Sequence, residues 1–217
     1  MFKAVFFDLD GTFADTAPDL AYAVNRMREA RGMPALPLAR TRPVTSLGAR
    51  GLLGVGFGIT PEHADYPAMR AEFLEIYESN ILRGTRLFPG TEALLDGIEA
   101  RGMAWGIVTN KAERLARLLF EGLGLTKRTS CIVGGDSTGH LKPHPAPLHA
   151  ACRSTDVAPG ACIYVGDDKR DIDAGRAAGM RTAAAKWGYL NGGKPEEWDA
   201  DWLLENPQAL LQILQST

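Results

Sequence analysis

Ala4-Val5-Phe6-Phe7-Asp8-Leu9-Asp10-Gly11-Thr12 is the stretch that decides how this chain is read. Four apolar residues in a row predict a strand covered on both faces, as in a parallel sheet. Acids and a glycine follow at once, at the carboxyl end of that strand, where open α/β sheets bind their ligands. In extended chain, residues two apart face the same way. Asp8 and Asp10 would then crowd their charges unless a cation lay between them, and a hard divalent ion such as magnesium prefers such oxygen ligands. An ordinary Asp-Gly turn is the competing reading of the same residues.

Working outward, residues 104–108, 130–133, 161–165 and 181–186 are further short, nearly continuous apolar runs. Helical spacing lies between them: Leu94, Leu95 and Ile98 precede the 104–108 run, and Leu115, Leu118, Leu119 and Leu123 follow it, with Gly124 as a stop. A last strand near residues 201–204 and a helix over 207–214 close the sheet edge. Strands alternating with helices predict an α/β fold, a Rossmann-like parallel sheet with right-handed crossovers. Residues 15–84 break the alternation. Thr16-Ala17-Pro18-Asp19 has the pattern of a capping box with proline in the first turn. Leu20, Val24 and Met27 then repeat at helical spacing up to Gly32, and a second helix carries Met69, Phe73, Ile76 and Tyr77. Pro34, Pro37, Pro43 and the glycine-rich stretch 48–58 lie between these two helices. The chain is thus expected to divide into a core of residues 1–14 and 85–217 and an inserted helical cap of residues 15–84.

Bulk composition narrows the function classes. The chain has 217 residues, 45% hydrophobic and 23% charged, the balance of a folded globular protein. A net charge of −2 provides no polyanion-binding surface, so neither nucleic acid nor an acidic membrane is an expected partner. Cys131, Cys152 and Cys162 form no C-x-x-C pair, which speaks against a disulfide framework and a zinc site; Cys162, in an apolar run, reads as a buried thiol. The first residues lack the pattern of a signal peptide, and no stretch has the length of a membrane helix. The expected location is the cytoplasm.

Three further constellations carry chemistry. Thr109-Asn110-Lys111 ends the 104–108 run, where a hydroxyl and backbone N–H groups suit phosphate oxygens; capping of the next helix is the alternative. Leu141-Lys142-Pro143-His144-Pro145 holds Lys142 out of a helix, ready to neutralise a phosphate as a point charge, against the ordinary fate of a solvated lysine. His140 and His144 have no partner at metal-ligand spacing and decorate this loop. Gly166-Asp167-Asp168-Lys169-Arg170-Asp171 abuts the 161–165 run, although Asp168 and Asp171 also suit the first turn of a helix. Acid pair, hydroxyl, lysine and acid cluster occur in that order along the chain.

With these residues in place, the sequence resembles the haloacid dehalogenase superfamily of phosphatases over nearly its whole length, including the insert. Asp15-Thr16-Ala17-Pro18-Asp19-Leu20 and Asp171-Ile172-Asp173-Ala174-Gly175-Arg176-Ala177-Ala178-Gly179 are similar to the phosphoglycolate phosphatase-like members. Gly48-Ala49-Arg50, Trp105-Gly106-Ile107-Val108-Thr109-Asn110-Lys111 and Trp187-Gly188-Tyr189 also resemble N-acetylmuramic acid 6-phosphate phosphatases. The resemblance implies hydrolysis of a small phosphate ester with Mg2+. Asp8 is then the nucleophile that becomes an aspartyl-phosphate, and Asp10 the acid and base. Thr109 and Asn110 hold phosphate oxygens while Lys142 screens charge. Asp8, Asp167 and the backbone carbonyl of Asp10 bind the metal, with Asp168 and Asp171 supporting them from behind. Two positions depart from the common pattern: Phe13 stands where many relatives have leucine, and Gly166 where some mutases have an acid.

Arg50 is the candidate for contacting the leaving group, since a guanidinium binds a carboxylate through two bonds; a helix-surface arginine is the competing reading. A carboxylate is present in both 2-phosphoglycolate and N-acetylmuramic acid 6-phosphate, so Arg50 does not separate them. A β-phosphoglucomutase-like phosphotransferase shares the same core and nucleophile. A receiver-type signalling domain also clusters aspartates with threonine and lysine, but lacks an insert after the first strand. No P-loop pattern occurs. Oligomeric state is not legible in these residues.

Overall fold

Residues Ala4–Phe7 form β1, and its four side chains alternate between two cores. Val5 and Phe7 face one layer of helices while Ala4 and Phe6 face the other, and none is more than 3% exposed. Burial on both sides is the reason for the unbroken apolar run. The computed structural model describes residues 1–215. After β1 come β2 (Ala14–Asp15), α1 (Ala17–Glu29), α2 (Leu38–Thr41), α3 (Gly48–Phe57), α4 (Tyr66–Ser79) and β3 (Arg86–Leu87). The alternation then resumes as α5 (Thr91–Glu99), β4 (Ala104–Val108), α6 (Glu113–Gly122), β5 (Cys131–Val133), α7 (Ala146–Thr155), β6 (Cys162–Gly166), α8 (Lys169–Ala177), β7 (Arg181–Ala185), β8 (Trp202–Leu204) and α9 (Ala209–Gln215).

Six strands make one parallel sheet in the order β5-β4-β1-β6-β7-β8. The chain leaves β1 for one side of the sheet and returns to the other, so β1 lies at the switch point where α/β sheets open a ligand crevice. Register brings Phe7 level with Ile107 of β4 and Val165 of β6. Asp8, Val108 and Gly166 therefore leave the sheet at the same height.

The helices between β2 and β3 bury a cluster of their own, including Leu20, Val24, Met27, Leu53, Phe73 and Tyr77, with Leu115 of α6 joining it from the core. Two expectations need correction here. The glycine-rich stretch 48–58, read as lying between helices, is itself mostly the helix α3. Its glycines serve packing: a Cβ on Gly56 would strike Val24 of α1, and one on Gly51 would strike the Val44 carbonyl. Tertiary contact thus outweighs the poor helix propensity of glycine. The capping box at Thr16 does not form. The Thr16 hydroxyl donates instead to Asp10 Oδ1 at 2.6 Å, and Asp19 accepts from the Gly84 and Thr85 amides and the Thr85 hydroxyl, so these side chains tie the start of the insert to the turn before it and to the chain leaving it.

Phe13 is enclosed by Phe7, Trp105 and Phe120, with ring centroids 5.8, 5.7 and 5.3 Å away. The aromatic ring here completes a stack beneath the β1 turn. Phe13→Ala is expected to destabilise the protein by about 3–5 kcal/mol, the cost of emptying a buried aromatic site, measured by urea unfolding. No helix among the described residues is long and apolar enough to cross a membrane.

Candidate active site

Four separated segments converge above the carboxyl edge of β1, β4 and β6. Asp8, Asp10, Arg50, Thr109, Asn110, Lys142, Asp168 and Asp171 all line one cavity of about 390 Å³, with Asp167 fully buried. Chain direction explains the convergence: each segment leaves a parallel strand, or in the case of Lys142 the loop after β5, on the same edge of the sheet.

Lys142 is the hub. It is 4% exposed, and its Nζ lies 2.8 Å from Asp8 Oδ1, 2.7 Å from Asp171 Oδ1, 2.7 Å from the Tyr164 hydroxyl and 3.0 Å from the Val108 carbonyl. Burial alone pulls the ammonium down, but Asp171 and Asp8 hold it above the ordinary lysine value. It is not a solvated loop lysine. Asn110 accounts for how the loop is held: its Oδ1 accepts from the Lys142 amide at 2.8 Å, and its Nδ2 donates to the Lys142 carbonyl at 3.1 Å. The Asn110 side chain is thus engaged in a clamp on the lysine backbone. Thr109 does not cap α6, whose N-cap is Ala112; its oxygen accepts the Lys111 amide at 3.2 Å, leaving its proton to donate into the cavity.

Asp8, Asp167 and Asp171 bring carboxylate oxygens within 4.8 Å of one another. Burial, then the charges of Asp8 and Asp171, push Asp167 well above the usual carboxylate range, against the pull of the Thr12 hydroxyl and the Tyr189 amide. Burial likewise raises Asp171 to about 7, with Lys142 opposing and Asp8 adding. Three buried acids facing one ammonium leave negative charge uncompensated, and an all-oxygen donor set of this kind fits a hard divalent cation. Backbone makes room for it: a Cβ on Gly166 would collide with Asp171, and one on Gly188 with Asp167.

Asp10 stands apart from the expectation that its carboxylate and that of Asp8 share a cation. The chain is extended only as far as Phe7; beyond Asp8 it folds into a tight turn, with Gly11 at φ +94° and the Phe13 and Ala14 amides both bonded to the Leu9 carbonyl. The rule that residues two apart face one way therefore lapses. The Asp10 carboxylate meets the Lys111 ammonium at 2.9 and 3.1 Å and the Thr16 hydroxyl. Lys111, poised over the Tyr77 ring at 4.6 Å, is in turn held above its ordinary value by Asp10 despite burial.

Asp168 caps α8 through the Arg170 amide, and the Asp171 carboxylate accepts from the Asp168 amide, a complete capping box. Both readings of these acids hold for Asp171, which caps the helix and also pairs with Lys142. Arg50 is exposed on α3 and lines the same cavity as Asp8. Sequence reasoning gave no role to Lys111, Thr12, Tyr164 or Tyr189. Tyr189 receives the Thr16 and Ala17 amides and donates to Asp15 at 2.9 Å. Thr12, Lys111 and Tyr189 each stood inside a quoted motif, but their partners lie far away in the chain and no local pattern records them.

Residues 5–185 match the model of the haloacid dehalogenase-like hydrolase family. The chain belongs to that family. It is a phosphatase, as its relatives indicate. It is 47% identical over 212 residues to a phosphoglycolate phosphatase of Xanthomonas campestris, covering 96% of this chain and 94% of that one. It is 40% identical over 215 residues to the N-acetylmuramic acid 6-phosphate phosphatase of Pseudomonas putida, covering 99% and 96%. Among solved structures, a predicted phosphoglycolate phosphatase from Haemophilus somnus superimposes with a TM-score of 0.88 at 26% identity, covering 99% and 98%.

Proposed function

We propose that this phosphatase hydrolyses a small, carboxylate-bearing phosphate monoester through an aspartyl-phosphate on Asp8, with magnesium bound by Asp8, Asp167, Asp171 and the Asp10 backbone carbonyl. The observation that carries the reading is the Lys142 ammonium, 2.8 Å from Asp8 and within the same buried acid cluster. When bound, the metal supplies positive charge that offsets the acids and the phosphoryl oxygens.

Phosphoryl transfer asks the protein chiefly for alignment and charge stabilisation. Lys142 fixes the Asp8 carboxylate by Oδ1, and Thr109 donates to a phosphoryl oxygen. In the first half-reaction the Asp8 oxygen bonds to phosphorus as the ester P–O bond breaks, and Asp10 gives a proton to the departing alkoxide. In the second, Asp10 takes a proton from the water that attacks the aspartyl-phosphate, releasing inorganic phosphate and restoring Asp8. Lys111 and Thr16 both donate to the Asp10 carboxylate and fix its position in the site. Residues 15–84 act as the cap that covers this chemistry and excludes bulk water. The relatives' activities make 2-phosphoglycolate and N-acetylmuramic acid 6-phosphate the two candidate substrates.

The test is product identity. With magnesium, the protein is expected to release inorganic phosphate from 4-nitrophenyl phosphate and from a preferred ester, and to stop when EDTA removes the metal. Accumulation of a sugar bisphosphate would instead assign a phosphoglucomutase-like phosphotransferase.

A further inference from the structure

The phosphoryl site does not fill its cavity. The remainder is walled by the inserted helices, and α4 turns one face to it: Tyr66, Arg70, Phe73, Leu74 and Tyr77, the spacing of a single helical stripe. Arg50 enters from the neighbouring α3. The α4 face is apolar and aromatic apart from Arg70, and Arg50, Thr45 and Ser46 add polar groups beside it.

Four arginines line the cavity, and two are already spent. Arg114 forks onto Glu78. Arg170 holds Asp168 at 2.8 Å and the Ser46 carbonyl at 3.1 Å. Arg70 has neither a hydrogen bond nor an ion pair among the described residues, and Arg50 is sensed only at long range by the exposed Glu62. A guanidinium facing a cavity without an acid partner is suited to a planar oxyanion from the ligand, bound through two N–H groups. Lys142 and Thr109 already serve the phosphoryl group, so the anion that meets Arg70 and Arg50 belongs to the alcohol part. Size points the same way. About 390 Å³ lies in the range that encloses a drug-sized ligand, and a two-carbon acid has no carbon face to set against Phe73, Leu74 and Tyr66.

We propose that Arg70, with Arg50, forms a carboxylate subsite in the inserted helices, and that the preferred substrate is the phosphate ester of a sugar-sized alcohol carrying a carboxylate. This rests on the phosphatase reading above and chooses between its two candidates.

The experiment compares kcat/KM for N-acetylmuramic acid 6-phosphate, for N-acetylglucosamine 6-phosphate, which lacks the carboxylate, and for 2-phosphoglycolate, in wild type and Arg70→Gln. Wild type is expected to favour the carboxylated sugar over both others by about ten- to a hundredfold, the worth of a charge-assisted hydrogen bond pair. Arg70→Gln is expected to lose most of its preference for the carboxylated sugar over the plain one. An equal rate on the two sugars, a higher one on 2-phosphoglycolate, or a preference unchanged in Arg70→Gln overturns the subsite. Calorimetric binding of the carboxylated sugar phosphate to the Asp8→Asn protein, with and without Arg70→Gln, separates the two layers of the proposal. Arg70-dependent binding without turnover in wild type leaves the subsite standing and removes the nucleophile assignment; binding indifferent to Arg70 removes the subsite alone.

Discussion

Asp8→Asn is expected to lower kcat by about 10⁴-fold or more, the scale of removing a covalent nucleophile, while the metal-free protein becomes more stable. The amide keeps the shape of the carboxylate and an oxygen for the Lys142 ammonium, so the loss falls on bond formation to phosphorus. The stability gain has a separate cause: one of three buried carboxylates within 4.8 Å of one another has lost its charge, which relieves the repulsion felt by Asp167 and Asp171. A gain of about 1 kcal/mol would raise Tm by about 2–4 °C in a chain of this size. Activity and stability moving in opposite directions is the signature of a site strained for function. Turnover retained in the variant removes Asp8 as nucleophile, and an unchanged or lower Tm removes the charge-crowding account.

Lys142→Met is expected to damage both properties. The methionine fills the space but leaves Asp8 and Asp171 buried without a cation, a loss of about 3–5 kcal/mol, or about 6–20 °C in Tm at 2–4 °C per kcal/mol. Loss of its charge beside the transferring phosphoryl group should cost kcat about 10²–10³-fold. The same cluster sets a pH dependence. Folding raises the Asp171 carboxyl from its ordinary value to about 7, so the folded state holds this proton more tightly than the unfolded chain does. The contribution is fully present below the unfolded carboxyl value near 4 and is lost as pH rises through about 7. Without metal, the Tm of wild type relative to Asp171→Asn should therefore fall between pH 4 and 7. Magnesium, which favours the ionised acids, should stabilise wild type more at pH 7.5 than at pH 5. Melts in EDTA and in magnesium measure both; a relative Tm that rises with pH in EDTA contradicts the account.

Much of this protein was legible before any coordinate. Apolar runs marked the strands because the parallel sheet is buried on both faces, and the acids, threonine and lysine that follow them reported chemistry through residue type and position. The insert was visible as an interruption of the alternation. What could not be read was which of these groups touch. Asp10 and Lys111 are 101 residues apart, and Thr12 and Asp167 are 155 apart, so no local pattern records either pairing.

Residue order alone therefore determined the fold class and placed acids, a threonine and a lysine just after strands, where they line one cavity, since both follow from hydrophobic period and turn chemistry within a few neighbours. Only the tertiary structure decided that Asp171 joins the acid cluster while the Asp10 carboxylate turns away to Lys111, that Asn110 clamps Lys142, and that a glycine-rich stretch becomes α3. Those outcomes depend on distances of a few ångströms between segments far apart in the chain, and they are set when the sheet and its two helical layers pack.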